Sequence, residues 1–297
     1  MDDLNKISNA EDLYKRALLE SVWNPERTWN KEGLSDGALN GRALNAEALM
    51  AEAWIKIPVV VDGSERALYA TDKLQAAREL KRRGEAVVVW LHEGNKGQDF
   101  GGFPYAVEDP GALDAAYAER VYRRLNKLPW KILETDRCVV RETTSEDVDS
   151  FYRIYSDPEI TRYMEDLYPE IEQEKEYVRE YIDKVYAFYE FGVWTVLEKE
   201  SGEVMGRAGF SYRQGYDEPE IGYIIGVPWQ RHGYAEEVCR AILEYGWREL
   251  HFERVQALVE TENEPSLTLC DKLGFIAVEE LEINGRGFFR LIQTAPP

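Results

Sequence analysis

The residues with the clearest chemistry are Gln230-Arg231-His232-Gly233-Tyr234-Ala235, which stand between an apolar run and an amphipathic segment. A strand that enters a glycine turn and passes at once into a helix aims several backbone N–H groups at one point. Those donors have no partner inside the helix, and the helix dipole adds partial positive charge there. Such an arrangement suits a phosphate or pyrophosphate. A side chain at Gly233 would hold that anion away from the backbone. Val227-Pro228 ends the preceding strand, because proline has no N–H for a ladder, and leaves the strand edge open to a ligand. Taken alone, the six residues also fit a tight turn before an ordinary helix.

Other chemistry-bearing residues are less organised. The glycine-rich run Gly94 to Gly102 lacks the Gly-Lys-Ser/Thr ending of a P-loop and reads as a loop. Cys138, Cys239 and Cys270 are isolated and odd in number, which argues against a disulfide framework or a structural zinc site. His92, His232 and His251 share no ligand spacing with them, so no metal is expected.

The elements that would position the phosphate turn fall into two groups, and 297 residues suit two domains. Residues 1–130 are expected to hold an N-terminal helical segment, with helices at Glu11–Ser21 and Ala43–Trp54, and a small α/β layer domain of unassigned role. In that layer Ile57–Val61 reads as a strand ended by Asp62-Gly63, Thr71–Arg83 as a helix, Ala86–Leu91 as a buried strand, Tyr105–Val107 as a short strand and Leu113–Leu125 as a helix. That order predicts a largely parallel sheet. Residues 131–297 read differently. Cys138–Glu142 is a strand, Ser145–Ser156 a capped helix closed by Asp157-Pro158, and Glu170–Tyr189 a charged helix with Tyr177, Tyr181, Val185 and Phe188 on one stripe. Strands Val193–Glu198, Val204–Tyr212 and Glu220–Val227 form an antiparallel meander. A helix Ala235–Leu250, a strand Arg254–Glu260, a helix Pro265–Leu273 and a hairpin at Asn284-Gly285 follow.

In this order the hexapeptide resembles the Q/R-x-x-G-x-G/A acetyl-CoA loop of the GNAT superfamily, with Ala235 in the final small position. Glu220-Ile221-Gly222-Tyr223-Ile224-Ile225 resembles the fourth strand of that fold. Asn263-Glu264-Pro265-Ser266 and Lys272-Leu273-Gly274-Phe275 resemble its second cofactor motif. The resemblance is closest to the RimJ/RimL-like branch and spans about 133–292. It implies an α/β (α+β) fold with a mixed central sheet flanked by helices. The activity it implies is acetyl transfer from acetyl-CoA to a primary amine of a small molecule, amino acid or peptide N-terminus.

The same resemblance assigns roles. Arg231, His232, Gly233, Tyr234 and Ala235 would surround the pyrophosphate, Ile225, Gly226 and Val227 would hold the pantetheine arm, and Asn263 and Ser266 would touch it further along. An amine attacks the thioester directly, so the enzyme supplies proximity, a base for the amine and an acid for the leaving thiolate. Glu220 matches the position of a catalytic glutamate in several GNAT enzymes. Where many place a tyrosine as the acid, this chain has Cys270; a thiol can protonate a thiolate, and it can equally be a packing residue. Tyr163, Met164, Glu165 and Trp194 fall where the acceptor binds in this fold, although aromatic residues at such spacings also build cores.

Charge narrows the partners. A formal net charge of −20 disfavours nucleic acid and would draw in a cationic amine or basic peptide, and it also serves plain solubility. Neither a basic-then-apolar leader at Met1 to Asn9 nor a bilayer-length apolar run is present, which points to a cytoplasmic protein without membrane contact. A homodimer is compatible with the sequence. The missing tyrosine leaves one alternative open, a catalytically inactive acyl-CoA-binding or sensing protein.

Overall fold

The computed structural model describes residues 53–164 and 166–296. The expected helix Glu11–Ser21 and all but the last two residues of Ala43–Trp54 lie outside them; Ala53 and Trp54 lead into a strand. The described residues form two compact units that meet in sequence at Trp130 and Lys131.

The first unit is a four-stranded sheet, β1 (Ile55–Val61), β2 (Ser64–Thr71), β3 (Ala86–Trp90) and β4 (Ala106–Val107), in that order, with helices α1 (Leu74–Arg82) and α2 (Ala115–Leu125). Asp62 and Gly63 both take positive φ, 49° and 75°, as a two-residue hairpin turn requires. That turn folds β2 back antiparallel on β1, a strand the sequence reading did not expect. The sheet is therefore mixed rather than largely parallel: β2–β3 and β3–β4 are parallel, β1–β2 is not. Ser64-Glu65-Arg66 hides the strand, because its first residues are exposed and only Leu68, Ala70 and Thr71 turn inward. Thr71 being in β2, α1 starts three residues later than expected, and the Thr71 hydroxyl accepts from the Lys73 N–H at 3.1 Å. The Asp114 carboxylate caps α2 by accepting from the Tyr117 N–H at 2.7 Å.

The second unit holds an eight-stranded sheet in the order β11-β12-β10-β9-β8-β7-β6-β5. Its strands are β5 (Lys131–Glu134), β6 (Cys138–Arg141), β7 (Val193–Glu198), β8 (Val204–Tyr212), β9 (Pro219–Ile225), β10 (Arg254–Glu260), β11 (Ile276–Ile283) and β12 (Arg286–Thr294). All neighbouring pairs are antiparallel except β9–β10. One face carries α3 (Val148–Tyr155), the short α4 (Pro158–Thr161) and α5 (Ile171–Tyr181), which runs on through a π-helical stretch, Ile182–Tyr186, to Tyr189. The other carries α6 (Tyr234–Arg248) and α7 (Glu264–Leu273). A capping box between Thr144 and Asp147 starts the turn that feeds α3.

Strand alternation sorts the sheet's side chains. Trp194, Ala208, Ile221 and Val255 belong to the core beneath α6, where Phe210 and Phe252 meet edge to face at 5.1 Å between centroids. Phe151, Ile154, Tyr155 and Ile224 pack on the opposite face. Among the described residues no helix is long and apolar enough to cross a membrane, and no cluster of His, Cys, Asp and Glu could hold a metal.

Candidate active site

The site begins where two strands part. β9 and β10 share a single register pair, Glu220 with Gln256, although β9 continues to Ile225 and stays paired with β8 throughout. Beyond Glu220 the β10-facing edge of β9 is thus left open. A cavity of about 390 Å³ occupies the gap, bordered by Tyr223 of β9, Val259 of β10, and Asn263, Ser266 and Cys270 at α7.

Because alternate residues of β9 point to opposite faces, the cavity passes through the sheet. Glu220 and Ile224 look to the α3 and α5 side, where they oppose Ser211 and Arg207 of β8. Tyr223 looks to the α6 and α7 side. There its hydroxyl lies 2.8 Å from the Ser266 hydroxyl, and burial pushes the phenol well above the usual tyrosine range. Cys270 is buried beside it, and burial pushes its thiol up to about 11. Asn263 caps α7, its side-chain oxygen accepting from the Ser266 N–H at 3.2 Å.

At the far end of β9 the chain turns into α6. Gly233, the residue before the helix, has φ +83°, a left-handed conformation that side-chain-bearing residues enter only with strain. The first rung of the helix is the Glu237 N–H donating to the Gly233 carbonyl at 3.1 Å, so the N–H groups of Tyr234, Ala235 and Glu236 have no intrahelical acceptor. Gln230 ties the loop to the strand, its side-chain amide donating to the Ile225 carbonyl at 2.9 Å. Arg137 ties it to the sheet. Its guanidinium donates to the His232 carbonyl at 3.0 Å, pairs with Glu237, and lies 4.2 Å from the Tyr234 ring centroid.

The residues singled out from sequence are thus divided. Asn263, Ser266, Cys270, Glu220 and Tyr163 border the cavity in the gap. Gly226 and Val227 border a second hollow of about 650 Å³ with Ile154 and Trp229. Arg231, His232, Gly233, Tyr234 and Ala235 form the α6 entry and border neither, while Ile225 ends the strand between them. Tyr163 donates to the Glu262 carbonyl at 3.0 Å, Met164 reaches the cavity, and Glu165 lies outside the described residues. Trp194 must be corrected. It is 0% exposed and opposes Ala208, so strand parity turns it into the α6 core against Tyr245, away from the face that carries α3.

Glu220, 8% exposed, accepts from Arg213 through both oxygens, at 2.6 and 3.0 Å. Neither Arg213, Arg137, Arg207 nor Tyr223 stood out in the sequence. Arg137 acts through residues distant in the chain, and Arg213 meets Glu220, seven residues on, across the β8–β9 hairpin. Tyr223 and Arg207 were recoverable from strand alternation once the gap between β9 and β10 was known.

Residues 137–276 match the family model described as an acetyltransferase (GNAT) domain. The uncharacterized N-acetyltransferase p20 of Bacillus licheniformis is 32% identical over 145 residues, covering 48% of this chain and 81% of that protein. YoaA of Bacillus subtilis, likewise an uncharacterized N-acetyltransferase, is 33% identical over 151 residues, covering 48% and 82%. Among solved structures, the spermidine N-acetyltransferase of Vibrio cholerae, in complex with CoA and spermine, aligns with a TM-score of 0.47 at 18% identity over 54% of this chain and 96% of that one. On its match to p20, at that identity and across four-fifths of that protein's length, the chain belongs to the GNAT family of N-acetyltransferases.

Proposed function

We propose that residues 131–297 transfer the acetyl group of acetyl-CoA directly to a primary amine. The pyrophosphate sits at the N-terminus of α6, the pantetheine arm runs through the gap between β9 and β10, and the amine enters from the α3 and α5 face. The observation that carries this reading is the cavity that crosses the sheet where β9 leaves β10, bringing residues of both faces to one passage.

The chain's own groups fit the roles. The α6 entry offers free N–H donors and a bare Gly233 for a phosphate to approach. Glu220, oriented by Arg213, takes the proton of the attacking amine through lone pairs that the guanidinium does not use. Tyr223 supplies the proton to the departing thiolate on the opposite face. Its hydroxyl is already held in place by Ser266, and burial keeps it protonated at neutral pH. Cys270, 4% exposed, then packs the wall at the position where the family resemblance implies a tyrosine.

The test is release of free CoA thiol from acetyl-CoA by the full chain with a panel of primary amines. Amine-dependent release supports the transferase. Acetyl-CoA binding without release on any amine would favour an acyl-CoA sensor, for which the bidentate clamp on Glu220 is the supporting feature.

A further inference from the structure

The arginines that border the cavity are not all paired alike. Three arginines border it, Arg207, Arg213 and Arg286, together with four carboxylates, Asp166, Glu174, Glu220 and Glu260. Arg213 is neutralised by Glu220, and Arg286 pairs with Glu260 at 2.7 Å. Arg207 differs. No carboxylate among the described residues forms an ion pair with it, and its Nε is buried without a hydrogen-bond partner. Its guanidinium instead lies 4.8 Å from the Phe151 ring centroid and interacts with the Tyr155 hydroxyl. The carboxylate whose field reaches it, Glu174, is 1% exposed and spends one oxygen on the Tyr168 N–H at 3.1 Å.

Arg207 is half-buried, and a buried Nε without an acceptor is costly; the cost is removed when a carboxylate arrives to form the missing bond. The register puts Arg207 directly opposite Ile224, on the face of β9 that also carries Glu220. It therefore lies on the acceptor side of the passage, not on the pantetheine side. The neighbouring walls, Tyr155, Tyr177 and Tyr181, are aromatic and leave room for an apolar body.

Resting on the acetyltransferase reading above, we infer that the acceptor is an amine that also carries a carboxylate, such as an amino acid, and that Arg207 binds that carboxylate while the amine faces Glu220. A polyamine, whatever the bordering carboxylates offer its amines, would leave the Arg207 Nε without an acceptor. The protein's overall acidity draws cations to its surface without deciding what the cavity accepts.

Matched acceptors test this on the full chain. CoA release is measured with phenylalanine against 2-phenylethylamine, with 6-aminohexanoate against hexylamine, and with spermidine as a carboxylate-free polycation. Calorimetric titration with acetyl-CoA accompanies each protein. In at least one pair the carboxylate-bearing amine is expected to show kcat/KM at least ten-fold above its partner. Arg207→Met should bring that ratio close to one with acetyl-CoA affinity unchanged, and Arg207→Lys should keep part of the preference. Ratios at or below one in both pairs, spermidine as the best acceptor, or a preference that survives Arg207→Met overturn the proposal. The wild-type ratios decide it even if the methionine variant fails to fold. If acetyl-CoA binds but no amine of the panel is acetylated, the carboxylate proposal falls while the cofactor site stands; if acetyl-CoA does not bind, both fall.

Discussion

The Tyr223 hydroxyl of β9 and the Ser266 hydroxyl of α7 meet at 2.8 Å across the gap that opens between β9 and β10. On the acetyltransferase reading proposed above, this pair is the proton donor to the leaving thiolate, in a cavity that the buried Cys270 also borders. Positioned acids of this kind contribute about 10²–10⁴ in rate. Tyr223→Phe is therefore expected to lower kcat by about 100-fold with acetyl-CoA affinity unchanged. Ser266→Ala should cost less, and Cys270→Ala should stay within about two-fold of wild type, since a buried thiol raised to about 11 is there to pack. Steady-state kinetics with parallel calorimetry checks all three. A silent Tyr223→Phe beside a crippled Cys270→Ala would return the acid role to the thiol.

Glu220 and Arg213 pose the matching question on the other face. The two oxygens of Glu220 are held by one guanidinium, a geometry that fixes the carboxylate's direction and leaves lone pairs on each oxygen. Glu220→Gln keeps the shape and loses the base. Its kcat should fall by about 100-fold at pH 7, within the usual range for a general base. Arg213→Lys retains the charge without the planar fork, so a smaller loss is expected. Unchanged turnover in Glu220→Gln would remove this residue from the mechanism.

How much of this was legible in the sequence depends on whether the backbone or the register sets the feature. The α6 entry was legible, because Gly233 before a helix dictates its own conformation and its own free donors. The meander from Val193 to Ile225 was legible because its strands alternate clearly and lie between turns. β2 was not, since its polar first half is an exposed edge of a hairpin and its inward residues are few. Trp194 was misplaced for a different reason. Aromatic type suggests a ligand wall or a core alike, and only the pairing of Trp194 with Ala208, one step out of phase with the Thr195–Arg207 pair, turns it to the core. Arg137 escaped notice because its partner Glu237 lies 100 residues away in the chain.

Gly233 offers a test of the cofactor loop that separates strain from occlusion. Any side chain at φ +83° strains the backbone, at roughly 1–2 kcal/mol. Gly202 has φ +73° in the turn between β7 and β8 and, like Gly233, no crowding atom within 3.4 Å of an added Cβ, so the same substitution there carries the same strain. Gly233→Trp should abolish acetyl-CoA binding in a calorimetric titration, whereas Gly202→Trp should bind as wild type does. Equal losses in both variants would show that strain alone is being measured, and the loop would then be only a turn.

The three cysteines make a prediction about alkali. Cys138, Cys239 and Cys270 are all buried, and burial raises each thiol, Cys270 to about 11. An unfolded thiol ionises near 8.5. Below that pH both states keep the proton and the stabilising preference for the neutral thiol is fully present. Between about 8.5 and 11 the unfolded chain ionises first, so stability is lost as pH rises, by roughly 3 kcal/mol for Cys270 alone. Urea unfolding at pH 7.5 and pH 10.5 should show a steeper alkaline loss in the wild type than in Cys270→Ala, although lysines and tyrosines titrate in both. The native protein should also resist iodoacetamide at pH 8, because so little thiolate is present and none of the three is exposed. Parallel pH slopes in the two proteins, or rapid labelling of native Cys270, would mean the thiol stands open to the cavity as a reactive group.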